Sequence, residues 1–229
     1  FRALSTGGKR PGLVKALPKV ELALPSVTLD AAHIASYAAL CGFSPSQGVP
    51  LIYPQMLTFP LVTAYMLSPE CPWPAMGTVH LANSIQQHKQ LQAGDTVRVE
   101  MGAGQLFTHE KGQGFTLDLR ILRDGELVWS ATQSLLRVGV KETAGQPFTS
   151  QLALDTSLSC QTEFTAPADM GRRYGAVSGD RNPIHLTAVT AKLFGFKRAI
   201  AHGMWTKARA LSSLLPADPL DQASVAVEL

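Results

Sequence analysis

Residues 27–43, VTLDAAHIASYAALCGF, and residues 164–180, FTAPADMGRRYGAVSGD, decide how this chain is organised. At an offset of 137 positions Thr28 matches Thr165, Ala31 matches Ala168, Tyr37 matches Tyr174, Ala39 matches Ala176 and Gly42 matches Gly179. Each copy is followed by a stretch containing Pro and Gly and then by an apolar helical segment, residues 60–67 in the first copy and 203–215 in the second. A repeated order of parts points to two related units. After the first helix the period changes: residues 78–87, 96–102, 114–123 and 127–138 are rich in Val, Leu, Ile, Thr and Phe and are punctuated by Gly94, Gly112, Gly114 and the pair Asp124-Gly125. These read as antiparallel strands joined by tight turns, with Asp124-Gly125 a strong hairpin signal. Such a meander buries one face, and a single apolar helix is its simplest cover.

The fold class is therefore α+β, with a first unit over residues 20–139, a linker rich in small and turn-forming residues over 140–161, and a second unit over 162–229. The two units are unequal. Residues 68–139 serve the first sheet, whereas only a short tail follows the second helix, in which 224–229 reads as one strand. The expectation is that roughly 50 to 60 further residues would be needed for the second sheet to match the first.

Composition narrows the function classes. Hydrophobic residues make up 45% of 229 and charged residues 16%, with a mean hydropathy of +0.08, which fits a packed core and not a disordered chain. Apolar windows fall well short of the roughly 20 residues that span a bilayer, so no membrane span is expected. A net charge of +3 without a long basic run gives no reason to expect nucleic acid as a partner. Cys41, Cys71 and Cys160 are few and scattered, which fits a reducing compartment and makes the cytoplasm the expected location.

The chemistry is concentrated in residues 174–206, YGAVSGDRNPIHLTAVTAKLFGFKRAIAHGMWT. Pro183 forces the chain to turn at Asn182, a good N-cap, and a helical turn beginning there carries His185 near Asp180. A carboxylate and a neutral imidazole within reach of one water can divide acid and base work between them. Further on, Ala201-His202-Gly203-Met204 opens a helix. The Gly203 N–H is among those a helix start leaves unpaired, and with the helix dipole behind it the group suits a carbonyl oxygen that gains negative charge. Together these residues suggest proton chemistry beside a carbonyl, with no metal and no redox cofactor required. Singly, each has a structural reading: Asn182-Pro183 as an ordinary turn, His202 as a hydrogen-bonded structural histidine, and the helix at Gly203 as a core helix.

Tyr174, Ser178-Gly179-Asp180, Asn182-Pro183-Ile184-His185, Phe194-Gly195 and Ile200-Ala201-His202-Gly203-Met204 resemble the hydratase-2 motif of MaoC-like (R)-specific enoyl-CoA hydratases. The first half is similar to the degenerate N-terminal hot dog of the double hot-dog members. The resemblance implies two repeats, each an antiparallel sheet wrapped around a central helix, the first without catalytic residues and the second incomplete as it stands. It implies that Asp180 and His185 hold the water added across a trans-2-enoyl thioester, that the Gly203 N–H polarises the thioester carbonyl, and that the product is an (R)-3-hydroxyacyl thioester; dehydration is the reverse. Asn182, His202 and Met204 fall beside these groups in the motif and are expected to contact the substrate. Coenzyme A or phosphopantetheine would enter only as part of the substrate. Many relatives carry Asp where this chain has Thr187.

In the first copy Phe43 matches Asp180, no Asn-Pro-x-His follows, and Pro60, set opposite Gly203, has no N–H to donate. One active site per pair of repeats is expected, with Phe59 and Tyr65 among the residues that could line an acyl pocket or else pack the core. The repeats could pair within one chain, and a homodimer of such chains is possible. Two alternatives stay open at this stage: a hot-dog thioesterase, and a non-catalytic subunit that binds acyl thioesters.

Overall fold

The computed structural model describes residues 6–9, 11–150, 152–153, 155, 157, 159–160 and 162–229. Strand β1 (Glu21–Thr28) leads into helix α1 (Ala31–Cys41) and, after a short 3-10 turn, helix α2 (Pro54–Leu67). Strands β2 (Thr78–Gln87), β3 (Thr96–His109), β4 (Gly112–Arg123) and β5 (Glu126–Val138) follow. Then come the two-residue strand β6 (Gln146–Pro147), helices α3 (Met170–Ser178), α4 (Pro183–Leu186), α5 (Ala188–Lys192) and α6 (Gly203–Ser212), and strand β7 (Ala223–Glu228).

The strands form one sheet in the order β1-β3-β4-β5-β2-β7, with β6 alongside β3. The expected meander is present, and Asp124-Gly125 makes its β4–β5 turn: both residues have positive φ, 54° and 80°, as a tight hairpin turn demands. Strand β1 was not legible as a strand in the sequence. It pairs with β3 at the sheet edge, and the register slips between Leu24 and Val27, around Pro25, a residue that cannot donate to a ladder and is tolerated at such an edge. The strand expected near the C-terminus is β7, and it pairs antiparallel with β2, Ile85 opposite Val225, so the second half joins the first in one sheet.

The matched glycines of the repeat do the same work. Gly42 caps α1 and Gly179 caps α3, with φ of 80° and 79°, a left-handed conformation that only glycine adopts freely. The matched tyrosines, Tyr37 and Tyr174, are both buried and face each other with ring centroids 6.3 Å apart. Of residues 140–161, positions 151, 154, 156, 158 and 161 lie outside the described residues; Gln146 and Pro147 run parallel to Phe107 and Thr108.

Helix α2 lies against one face of the sheet. Leu61, Val62, Tyr65 and Met66 are buried with Leu117, Leu119, Trp73 and Phe115, the last two stacked at 5.0 Å. One expectation is corrected here. The helix starts at Pro54, not at Pro60, so Pro60 sits in its interior with its ring exposed, and the residue at the first helical position, as Gly203 is in α6, is Pro54. Pro is well suited to that position because the missing N–H would have been unpaired anyway, and the swap leaves this helix start one donor short. Trp129, fully buried on β5, donates its indole N–H to Leu51 O at 3.0 Å and so ties the turn before α2 to the sheet. Trp129→Phe, which removes that donor and leaves a void, is expected to lower stability by about 2–3 kcal/mol in urea unfolding.

Candidate active site

Helix α3 ends at Ser178, and Gly179 turns the chain by donating its N–H to Gly175 O at 3.2 Å. Asp180 hangs just past this turn. Its N–H reaches Ser178 Oγ at 3.2 Å, and its Oδ1 accepts the Asn182 N–H at 3.0 Å, so one carboxylate oxygen is fixed by the local backbone. Asn182 then caps α4 by accepting from Ile184 N, and Pro183 takes the first helical position. This is the turn the Asn-Pro pair foretold.

His185 stands on α4 and is buried. Its Nδ1 lies 2.9 Å from Ile200 O. A carbonyl can only accept, so Nδ1 carries the proton and the neutral ring keeps its lone pair on Nε2. Ile200 N in turn donates to Ile184 O at 3.2 Å, which locks α4 to the loop before α6. By the same reasoning His202 Nε2, 3.0 Å from Asp180 O, carries a proton; it also stands 3.7 Å from Asp180 Oδ2. The two imidazoles stack at 3.7 Å with planes 27° apart, and Tyr174 packs on His202 at 4.9 Å. One nitrogen or oxygen from each of Asp180, His185 and His202 lies within 4.8 Å of the other two. Burial pushes the His185 imidazolium to a lower pKa, partly opposed by Ile200 O and Asp180; burial and the neighbouring His185 push His202 down to about 4. Both rings are therefore neutral at pH 7.

A carboxylate beside two histidines is also a set that metals use. Here the two rings stack, and each keeps one ring nitrogen that is not bonded to a carbonyl. Two of the four ring nitrogens are already committed to carbonyls.

Gly203 is the first residue of α6, His202 caps that helix without a side-chain hydrogen bond, and the Gly203 N–H has no acceptor among the described residues. An added Cβ there would come within 2.8 Å of the Leu229 side chain. The structure thus brings Asp180, His185, His202 and Gly203 to one place. Asn182 belongs to the turn that holds Asp180, and Met204 is partly buried against the core. Phe59 is close to Gly179, 3.8 Å from where a Cβ would stand, which puts a first-repeat side chain beside the Asp180 loop. Tyr65 is placed in the core, edge-on to Phe115 at 6.3 Å.

Other residues of the site were not read from the sequence. A Cβ on Gly171 would fall 1.9 Å from His185 O, and one on Gly175 would fall 2.6 Å from Asp180 O. Two glycines one helical turn apart therefore let α3 lie directly on the backbone of His185 and Asp180. The spacing Gly171-x-x-x-Gly175 was the available signal. Lys207 is the other. One turn after Gly203 and one before Leu211, it occupies an inward position, is 5% exposed, and donates to Asn83 O at 3.2 Å and Asn83 Oδ1 at 2.7 Å. Asn83 passes the chain on to Gln55 and Gln133, so α6 is tied to the sheet and to α2 by polar groups. Burial pushes the Lys207 ammonium down to about 7.

Gly171→Ala is expected to displace the His185 backbone, costing about 1–3 kcal/mol in thermal unfolding and lowering turnover, because backbone and not a flexible side chain stands in the way. For Lys207 the folded pKa lies below the unfolded one, near 10.4, so the unfolded chain binds more protons between about pH 7 and pH 10.4 and stability gains with pH across that window. Compared with Lys207→Met, the wild type should gain roughly 1 kcal/mol per pH unit from 7.5 to 9.5 in chemical denaturation, and a gap constant with pH would refute the assignment.

Residues 140–226 match the family model described as MaoC like domain. The chain is 34% identical over 199 residues to 3-hydroxyacyl-thioester dehydratase X of Mycobacterium tuberculosis, spanning 86% of this chain and 71% of the relative. A crystal structure of that protein superposes with a TM-score of 0.71 at 31% identity, covering 84% of this chain and 75% of the other. A MaoC-like dehydratase from Phytophthora capsici superposes with a TM-score of 0.72 at 18% identity, covering 93% and 80%, a likeness of fold. With a relative this similar over most of both chains, and with the hydratase motif folded into one cluster of facing groups, this chain belongs to the MaoC-like dehydratase family of α+β hot-dog enzymes.

Proposed function

We propose that the chain adds water to trans-2-enoyl thioesters to give (R)-3-hydroxyacyl thioesters and catalyses the reverse dehydration; its mycobacterial relative is named a 3-hydroxyacyl-thioester dehydratase. The observation that carries this reading is the tautomer of His185: with Nδ1–H held by Ile200 O, Nε2 keeps its lone pair, and the ring shares one cluster with Asp180 and His202. In hydration that lone pair takes a proton from water as the oxygen bonds to C3. The electron pair of the C2–C3 double bond moves toward the thioester carbonyl, whose oxygen becomes negative opposite the Gly203 N–H. The proton released by water returns to C2 on the same face through the Asp180–His185 pair. Run backwards, the same groups remove the C2 proton and expel the C3 hydroxyl as water. Nothing in this sequence asks for a metal or a redox cofactor; coenzyme A or phosphopantetheine comes with the substrate. Arg172, Arg173, Lys197 and Arg198 are exposed around the site and are candidates to meet a phosphate of either carrier.

Loss of absorbance at the enoyl-thioester band of a trans-2-enoyl-CoA, followed by chiral analysis of the product, tests the reading. Asp180→Asn and His185→Gln should each lower turnover by about 10²–10⁴-fold. Full activity in both variants removes the assignment. Release of free thiol with C2 and C3 unchanged would make the protein a thioesterase, and tight binding without turnover would make it a binding subunit.

A further inference from the structure

His33 lies on α1, in the first repeat, yet it bonds to the second. Its Nε2 is 2.8 Å from Val177 O and its Nδ1 is 2.9 Å from Tyr53 Oη. Val177 O can only accept, so Nε2 carries a proton, and in that tautomer Nδ1 accepts from the tyrosine. Burial pushes the Tyr53 phenol up to about 12, so its O–H is present at neutral pH to fix that tautomer. Val177 is the penultimate residue of α3, and its carbonyl is one of the last four in the helix, which have no partner inside it.

The matching carbonyl of the first repeat is treated in the same way. Leu40 stands 137 positions before Val177, and its carbonyl accepts the indole N–H of Trp205, on α6 of the second repeat, at 3.2 Å. Each repeat thus supplies a ring N–H to the same frayed carbonyl of the other. The donors themselves are not at matched positions: the offset places Met170 opposite His33. A repeat that had merely kept an ancestral contact would show like donors, whereas here each end has its own.

The two bonds differ in what lies downstream. After Leu40 the chain runs through Gly42 to Phe43, a core residue. After Val177 it runs through Ser178 and Gly179 to Asp180, whose N–H hangs on Ser178 Oγ and whose backbone carbonyl receives His202. A slip of the last turn of α3 would therefore move the carboxylate and the second histidine together. We infer that His33, held by Tyr53, is a positioning residue for the reaction: the first repeat clamps the end of α3 and thereby sets Asp180 against His185. The inference rests on the proposed hydratase chemistry for its kinetic consequence, but the clamp itself is a statement about the backbone.

The test uses the whole chain, with His33→Ala, His33→Gln and Tyr53→Phe beside wild type. The amide of Gln can place an N–H and an acceptor at about the spacing of the two imidazole nitrogens. His33→Ala should lower kcat by roughly ten- to a hundredfold while KM moves less than about threefold, since a misplaced catalytic group costs rate more than binding. His33→Gln should recover most of that loss, and Tyr53→Phe should show a smaller one. Hydrogen exchange read on the same samples should quicken in residues 174–186 of His33→Ala and stay unchanged in β3–β5. Wild-type kcat and exchange in His33→Ala overturn the inference. So does exchange that quickens across the whole sheet without recovery by Gln, which would mark a general loss of stability. If wild type turns over no enoyl thioester, the hydratase reading falls, and the exchange comparison alone then decides the clamp.

Discussion

Strand β2 bears a constraint from which much of the second half follows. It ends the five-stranded wrap around α2, and its outer row of N–H and C=O groups must be matched or exposed. β7 matches it over residues 82–87. Because that ladder fixes where the second half meets the first, α6 is laid close enough for Lys207 to reach Asn83 on β2, and Gly203 opens α6 beside the Asp180 loop. Asn83 lies in the shared ladder itself, opposite Val227, so the polar chain through Gln55 and Gln133 is anchored at the seam.

Within that frame the site is assembled mainly from backbone carbonyls. Those of Ile200, Asp180 and Val177 each take one histidine N–H, and these three bonds fix which nitrogen of each ring holds the proton. Burial then keeps His185 and His202 neutral, which leaves a lone pair on His185 Nε2 and another on His202 Nδ1 beside a partly exposed carboxylate. Glycine supplies the clearance. Gly171 and Gly175 let α3 approach the backbone of His185 and Asp180 more closely than any side chain would allow.

The parts legible in the sequence were those whose signal is local. The meander showed as β-rich runs and a hairpin pair, the repeat as matched positions such as Gly42 with Gly179, and the turn after Asp180 as Asn182-Pro183 with His185 behind it. What was not legible depended on tertiary packing. Strand β1 is short, at an edge and broken by Pro25, so its pattern was masked. The start of α2 at Pro54 was hidden because Pro60 looks like a beginning and is in fact tolerated inside the helix on its exposed side. Lys207 carries no local signal, because its partner Asn83 is set against it only by the fold, and the partners of His33 are 20 and 144 residues away.

The stacking of His185 on His202 has a consequence for how the site meets acid. Two imidazolium ions 3.7 Å apart face to face would repel strongly in a buried place, so the stack admits one added proton and resists a second. To the solvent the two rings behave as a single basic site shared between two residues. A proton that arrives on either ring makes the other harder to charge, so each histidine helps to keep its neighbour's lone pair free.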